Sequence, residues 1–353
     1  MPVSATIRHW QNGALHPTTL ETRKIKKNQE NNMLLRVIKD LFKSQAEQEK
    51  EALEAVQLFM NERQYQSACE LLELLLQRNP DHAVCHWELA QCHYKMGNNA
   101  KALVHCEKTR ALDPDSAPAF TLLTQLRLPG EDYKEVLERI IAHLRPRTYV
   151  EIGVFQGATL RLTKTTKRSI GIDPVPQIQW SLEPNMRVFP TTSDDFFAQH
   201  DLIAELGDRR VDLAFIDGMH QFDFALRDFA NIERYCNPNS VILIHDCYPL
   251  DEESAGREPR PSHWSGDVWR VIVLLKKYRP DLQIHTIGTA PTGLAVIQNL
   301  NPESTFLRDN HDRLVEEFLA LDYAYLNDDK AGKLNLFINH WPRIKSMVRP
   351  RSR

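Results

Sequence analysis

Short apolar runs recur through the second half of the chain: TYVEIG, SIGID, VDLAFID, SVILIHD, LQIHTIG and GLAVIQNL. The first four end in a glycine or an aspartate, and the stretches between them carry helix-like spacing. That alternation predicts a parallel sheet with helices on both faces. The last two runs are divided by only TAPT, which permits a hairpin but not a helical crossover. The sheet is therefore expected to end in an antiparallel pair. Ahead of it, YKEVLERIIAHL has the periodicity of an amphipathic helix stopped by Pro146, and RLPGED (Arg127 to Asp132) is the first good break.

The first third has a different pattern. LLQRNPDHA and TRALDPDSA place Pro80 and Pro114 34 residues apart, and Ala68 and Ala102 share that offset. Between the prolines the chain reads as helix, Gly turn, helix and Pro stop. It resembles a tetratricopeptide repeat, with Leu89, Tyr94, Gly97, Ala102, Leu112 and Pro114 on or within one residue of its usual small or apolar positions. The resemblance implies that Ala102 lets two helices close and that Gly97 ends the first in a left-handed conformation. The preceding copy, 49–82, is weaker, and the following one breaks off after SAPAFTLLTQL. So short an array is expected to lean on its neighbour. Its groove suggests a protein partner, and a purely structural cap is the alternative.

Composition narrows the classes. The chain has 353 residues, 42% hydrophobic and 26% charged, with net charge −3. This balance gives no reason to expect attraction to nucleic acid or to an anionic membrane. No apolar run reaches the length of a spanning helix and the N-terminus has no signal-peptide core, so a cytoplasmic protein is the default. The six cysteines form no C-x-x-C pair. Cys69, Cys85, Cys92 and Cys106 interleave with His86, His93 and His105; a zinc site is one reading, and small cysteines buried between helices are the commoner one. The basic cluster in TRKIKKNQENN and the final RPRSR are read as solvated runs. These signals divide the chain into an arm (1–45), a repeat domain (46–127), an α/β domain (128–300) and a C-terminal helical extension (301–353) that packs on that domain or pairs subunits.

Ligands of parallel sheets bind beyond the carboxyl ends of the strands. Glu151, Gly153, Gly157, Asp173, Ser193, Asp194, Asp217, His220, His245 and Asp246 all fall at or just after predicted strand ends. The first turn, YVEIGVFQGATL, has E-x-G-x-x-x-G spacing with Phe155 where a dinucleotide fingerprint has its second glycine, and no triphosphate-binding loop is present. The ligand expected is a nucleoside with a compact amino-acid tail and no bridging phosphates. From about Tyr133 to Ile297 the chain resembles a class I S-adenosylmethionine-dependent methyltransferase with a Rossmann-like sheet. The resemblance implies cofactor contacts from Glu151, Gly153, Gly157, Asp173 (ribose), Ser193 and Asp194 (adenine edge) and Asp217.

FIDGMHQFDFALRDF and VILIHDCYP look like the small-molecule methyltransferases that include macrocin-type sugar O-methyltransferases. That likeness implies a magnesium ion on Asp217 and Asp246, His220 as base, and a small hydroxylated acceptor. His245, which departs from the pattern, is expected to face away from Asp246. The polar stretch CYPLDEESAGREPRPSHWSGD reads as a lid or a disordered loop, with His263 and Trp264 placed to cover an acceptor. Two other functions stay open: methylation of a protein docked on the repeats, and a non-catalytic interaction protein.

Overall fold

The computed structural model describes residues 45–260 and 264–348. The chain forms two compact units, Met1–Leu112 and Asp113–Arg353. Most of the expected arm, His263 and the tail RPRSR lie outside the described residues.

The first unit contains α1 (Gln45–Asn61), α2 (Tyr65–Arg78), α3 (Ala83–Lys95) and α4 (Asn99–Leu112). Val56, Phe59, Leu71, Leu72 and Leu89 build its core. The His82 ring accepts from the Cys85 amide at the start of α3. At the other end, Gly97 takes φ +77, and the Gly97 and Asn98 amides donate to the Tyr94 and His93 carbonyls. A left-handed glycine that satisfies terminal carbonyls is how such helices stop. Ala102 is fully buried on α4. All six cysteines are free and buried, and the cysteines and histidines of this unit form no metal-ligand group among the described residues.

The second unit begins with α5 (Ala117–Arg127), which the sequence had grouped with the repeats, and α6 (Tyr133–Leu144). Asp132 caps α6: its carboxylate accepts from the Lys134 and Glu135 amides, and Glu135 accepts from the Asp132 amide. Next come β1 (Thr148–Ile152), β2 (Arg168–Ile172), β3 (Met186–Phe189), α7 (Ser193–Gln199), α8 (Leu202–Glu205), β4 (Val211–Ile216), α9 (Phe222–Glu233) and β5 (Cys236–His245). After these lie α10 (Trp269–Tyr278), β6 (Gln283–Ile287), β7 (Leu294–Gln298), α11 (Phe306–Asp309), α12 (His311–Leu319), α13 (Tyr323–Asp328), α14 (Lys330–Lys333), β8 (Leu336–Phe337) and α15 (Trp341–Met347).

One sheet runs β3-β2-β1-β4-β5-β7-β6-β8. Strands β1 to β5 are parallel, and β7 is antiparallel to both β5 and β6. Period-two alternation sorts the side chains. Val150, Ile152, Ala214, Ile216, Ile242 and Ile244 join α9 and α10 on one face. Tyr149, Leu213, Phe215, Val241 and Leu243 join α6 on the other.

Two features differ from the expectation, and a third is one of its two alternatives. The hairpin is not the sheet's edge, because β8 pairs in parallel with β6; a two-residue strand carries no readable periodicity. Between β1 and β2 stands only a short 3-10 turn, Leu160–Thr163. Thr163 and Thr166 there donate to the Leu160 and Thr163 carbonyls, a local bonding that competes with helix. The C-terminal extension packs on the domain: Leu314, Phe318 and Leu326 enter one core and Ile344, Met347 and Val348 the other. No described helix is long and apolar enough to cross a membrane.

Candidate active site

The carboxyl ends of β1 to β5 point the same way, so the loops that follow them converge. Together with Tyr133 on α6, Phe224 and Asp228 on α9, and Pro291 and Thr292 before β7, they line a cavity of about 640 Å³, within the range of small-ligand sites. Among the residues expected at a site, Gly153, Asp173, Ser193, Asp194, Asp217, His220, His245 and Asp246 line it, and Glu151 and Gly157 do not.

Glu151 is fully buried. Tyr149 Oη donates to its Oε2 at 2.6 Å and Thr159 Oγ1 to its Oε1 at 2.9 Å. Burial pushes its carboxyl up to about 8, against the pull of those hydrogen bonds. It holds the turn from below and does not face the cavity. Gly157 is likewise structural, since a Cβ there would lie 2.9 Å from the Trp180 ring.

Phe155, at the second-glycine position, still adopts a left-handed backbone, φ +46. What holds the turn is Asp173: its Oδ2 accepts from the Val154 and Phe155 amides at 2.8 and 2.7 Å, and its Oδ1 from the Val175 amide at 2.8 Å. Oδ2 is thus committed to the protein, and only Oδ1 retains accepting capacity for a ligand. Asp194 is also committed, through a two-pronged contact with Arg227 at 2.9 and 3.0 Å. Gly153 is required by close approach: its Cβ would fall 2.0 Å from the Asp217 carbonyl oxygen. The obstacle is therefore backbone, not space reserved for a ligand.

At the β4–β5 end four titratable groups meet. His220 Nε2 stands 3.0 Å from Asp246 Oδ2 and 3.6 Å from Asp217 Oδ1. His220 Nδ1 donates to the Trp264 carbonyl at 3.0 Å, which turns Nε2 toward the carboxylates. His245 does not face away. Its Nδ1 lies 3.0 Å from Asp217 Oδ1 and 3.2 Å from Asp246 Oδ2. The reason is backbone: Asp246 takes φ +59, which breaks strand alternation, so neighbouring side chains turn to the same side.

Burial opposes charge on both histidines, but Asp246 and Asp217 outweigh it, taking His220 up to about 9 and His245 to about 10. Asp217 is held well below the usual carboxylate range: burial works against its charge, and His245 and His220 prevail.

The donor set fits a divalent cation. One ligand atom each from Asp217, His220 and Asp246 lies within 4.8 Å of the others. Asp246 Oδ2 is buried and receives no hydrogen bond of good geometry despite the nearby rings, while Thr292 donates to its Oδ1.

Several lining residues had escaped sequence reasoning. Tyr133 stacks on His245 with ring centroids 3.9 Å apart, yet in sequence it only opens a helix. Thr292 and Asp228 carried no signal at all. Trp264 had been singled out, and its ring lies 5.3 Å from that of His220. Among the described residues around it, Ser265 donates to the Ser254 carbonyl, and Arg257 pairs with Asp223.

The strand order, with its antiparallel β7 and the acids at successive strand ends, is that of a Rossmann-like methyltransferase sheet. Residues 150–247 match the family model of a methyltransferase domain, and residues 59–126 that of a tetratricopeptide repeat. An uncharacterised protein of Acanthamoeba polyphaga mimivirus is 31% identical over 112 residues, 28% of this chain and 51% of that protein. The chain thus spans about half the length of the curated relative it matches.

Solved structures with partial likeness include an O-methyltransferase of Streptomyces achromogenes, in complex with S-adenosylmethionine. It is 15% identical with TM-score 0.37, over 48% of this chain and 79% of that one. Another is the O-methyltransferase of Bacillus cereus with S-adenosylhomocysteine, 14% identical with TM-score 0.35, over 55% and 89%. A methyltransferase of Podospora anserina, bound to the same product, is 13% identical with TM-score 0.37, over 58% and 96%.

Proposed function

We propose that the second unit transfers a methyl group from S-adenosylmethionine to an oxygen of a small polar acceptor. One observation carries this reading. Asp173 Oδ1 retains accepting capacity beside the Gly153 turn, and among the described residues no lysine or arginine lines the cavity. Such a lining offers an acceptor to a ribose hydroxyl and no guanidinium or ammonium partner to a nucleotide's phosphates, which favours a nucleoside with an amino-acid tail. The sulfonium supplies an electrophilic methyl, so the chain must bind, align, exclude water and move one proton.

The nucleoside end lies over β1 to β3, between the Gly153 turn, Asp173 and Ser193. The acceptor lies over β4 and β5, walled by Tyr133, Trp264 and Thr292. Burial, then the nearby Asp217 and Asp246, keep the Tyr133 phenol protonated, so it serves as a donor toward an acceptor oxygen. Asp217 and Asp246 would hold a divalent cation, magnesium in the first instance because both offer oxygen; when bound, it acidifies an acceptor hydroxyl. His220 takes the proton at Nε2, oriented by the Trp264 carbonyl. Its raised pKa belongs to a carboxylate pair without a counter-cation, and neutralising that pair restores the free base.

Calorimetry with S-adenosylhomocysteine tests the cofactor, and no binding at millimolar concentration would sink the reading. With a hydroxylated acceptor found by screening, chelator should stop turnover and magnesium restore it. His220→Ala should lower turnover at least a hundredfold while leaving cofactor affinity within twofold. Full activity in chelator removes the cation. Loss of cation binding in His220→Ala would reassign His220 from base to ligand.

A further inference from the structure

The adjacent strands β2, β1 and β4 each begin beside a pair of cations. Arg145 and Arg147 precede β1, Lys167 and Arg168 open β2, and Arg209 and Arg210 precede β4. Parallel strands start on one edge and neighbours lie about 4.8 Å apart, so the three pairs fall within about 10 Å of sheet. This is the edge opposite the candidate active site, whose acids stand at the other ends of the strands. The net charge of −3 averages over that segregation, so composition hides it.

All six cations are exposed. Arg147 is engaged with Asp212, which accepts from its amide at 2.8 Å and lies 3.7 Å from its Nε. Arg209 and Arg210 donate to the Gly207, Arg234 and Cys236 carbonyls. Among the described residues, Arg145, Lys167, Arg168 and, on α15, Lys345 have no carboxylate within salt-bridge distance. Cations near the carboxyl end of α6 stabilise its dipole. That accounts for Arg145 but not for the pairs at β2 and β4.

Beside the β1 pair the surface is hollowed. Arg139, His143, Arg145, Arg147, Trp341 and Lys345 help to line a groove of about 820 Å³, and Asp212 is the one acid among its described lining residues. The Arg139 guanidinium lies over the Trp341 ring, 5.6 Å from its centroid. Planar groups of this kind give a base a surface to stack on.

We propose that this edge binds single-stranded nucleic acid, the cations following the phosphate backbone and the Trp341 groove receiving a base. A positively charged groove with aromatic side chains is how sequence-tolerant binding of single strands is built. An anionic bilayer would also meet the charge, but its surface does not enter a groove. The proposal goes beyond the methyl-transfer reading and does not depend on what occupies the cavity at the other edge.

Binding of a fluorescein-labelled single-stranded RNA of mixed sequence to the full chain is followed by fluorescence anisotropy across a salt series. Wild type should bind, with affinity falling steeply as salt rises, since each neutralised phosphate adds about 0.7 to the slope of log K against log salt. Arg145→Gln, Lys167→Gln and Lys345→Gln, combined, remove three cations that pair with no carboxylate in the fold. The triple variant should bind at least tenfold more weakly at low salt, with the slope reduced by about 2 and an unchanged urea midpoint. Trp341→Leu keeps apolar contact but offers no stacking plane, and should weaken binding about tenfold with the slope unchanged. No RNA binding by wild type overturns the proposal. Equal RNA affinity in wild type and the triple variant also overturns it, and moves binding to the basic runs TRKIKKNQENN and RPRSR. Unchanged affinity in a folded Trp341→Leu removes the base from the groove. Wild type that binds phosphatidylserine vesicles through these three cations, but not RNA, makes the edge a membrane surface instead. The triple variant decides the matter even if Trp341→Leu fails to fold.

Discussion

Gly153→Ala is the most direct probe of how the strand ends are assembled. The added Cβ would lie 2.0 Å from the Asp217 carbonyl oxygen and 2.6 Å from Gly218 Cα, where ordinary contact begins at 3.4 Å. Neither neighbour is a flexible side chain. Reaching even 3.0 Å requires a backbone shift of about 1 Å between the ends of β1 and β4. Two hydrogen bonds resist that shift: Asp217 N to Ile152 O at 2.8 Å and Gly153 N to Ile172 O at 2.9 Å. Weakening them costs about 0.5–1.5 kcal/mol each. The alanine must also hold φ +87, a further cost of about 1–2 kcal/mol.

The sum is about 3 kcal/mol, a sizeable part of a domain's stability but not all of it. The variant should therefore still fold, with its Asp217 displaced. Gly207→Ala is the control. It has φ +67, but its nearest neighbour is the end of the Arg209 side chain at 3.3 Å, so it bears the backbone cost alone, about 1 kcal/mol. Urea unfolding followed by tryptophan fluorescence should give a midpoint for Gly153→Ala well below that of the control at equal slope. S-adenosylhomocysteine binding should be lost in Gly153→Ala and kept in Gly207→Ala. Equal midpoints for the two variants would refute the close-approach account.

Glu151→Gln should change the pH dependence of stability. Its carboxyl, about 8 when folded against about 4.5 unfolded, keeps a proton that the unfolded chain has lost; wild-type stability should therefore fall as pH rises from about 4.5 to 8. The glutamine variant lacks this slope and should gain on the order of 5 kcal/mol relative to wild type across that window; parallel profiles would show that Glu151 titrates normally. Arg279 and Glu233 are both nearly inaccessible and joined by two hydrogen bonds of 2.8 Å. Arg279→Met strands the glutamate and should cost about 3–5 kcal/mol, with Glu233→Leu added to it recovering most of the loss. A loss under 1 kcal/mol in the single variant would contradict a buried pair.

The features legible in the sequence were those set by local spacing. Val150 and Ile152 face one way and Tyr149 and Glu151 the other because a strand alternates. Gly97 ends a helix because few other residues take its φ. Asp173, Asp217 and Asp246 share one cavity because parallel strands end on the same edge. Other features depended on chain far away. Tyr133 and Asp228 sit in ordinary helical patterns, and they reach the site only because α6 and α9 return over particular strands. His245 joins Asp217 and Asp246 through the positive φ of a single residue, which period-two reasoning cannot anticipate. Glu151 looked like a ligand by position, but Tyr149 and Thr159 close over it. Spacing along the chain thus determined which elements form and which edge bears the site. Where each carboxylate finds its partner was decided by packing between segments far apart in sequence, because side-chain direction and solvent exclusion are properties of the assembled fold.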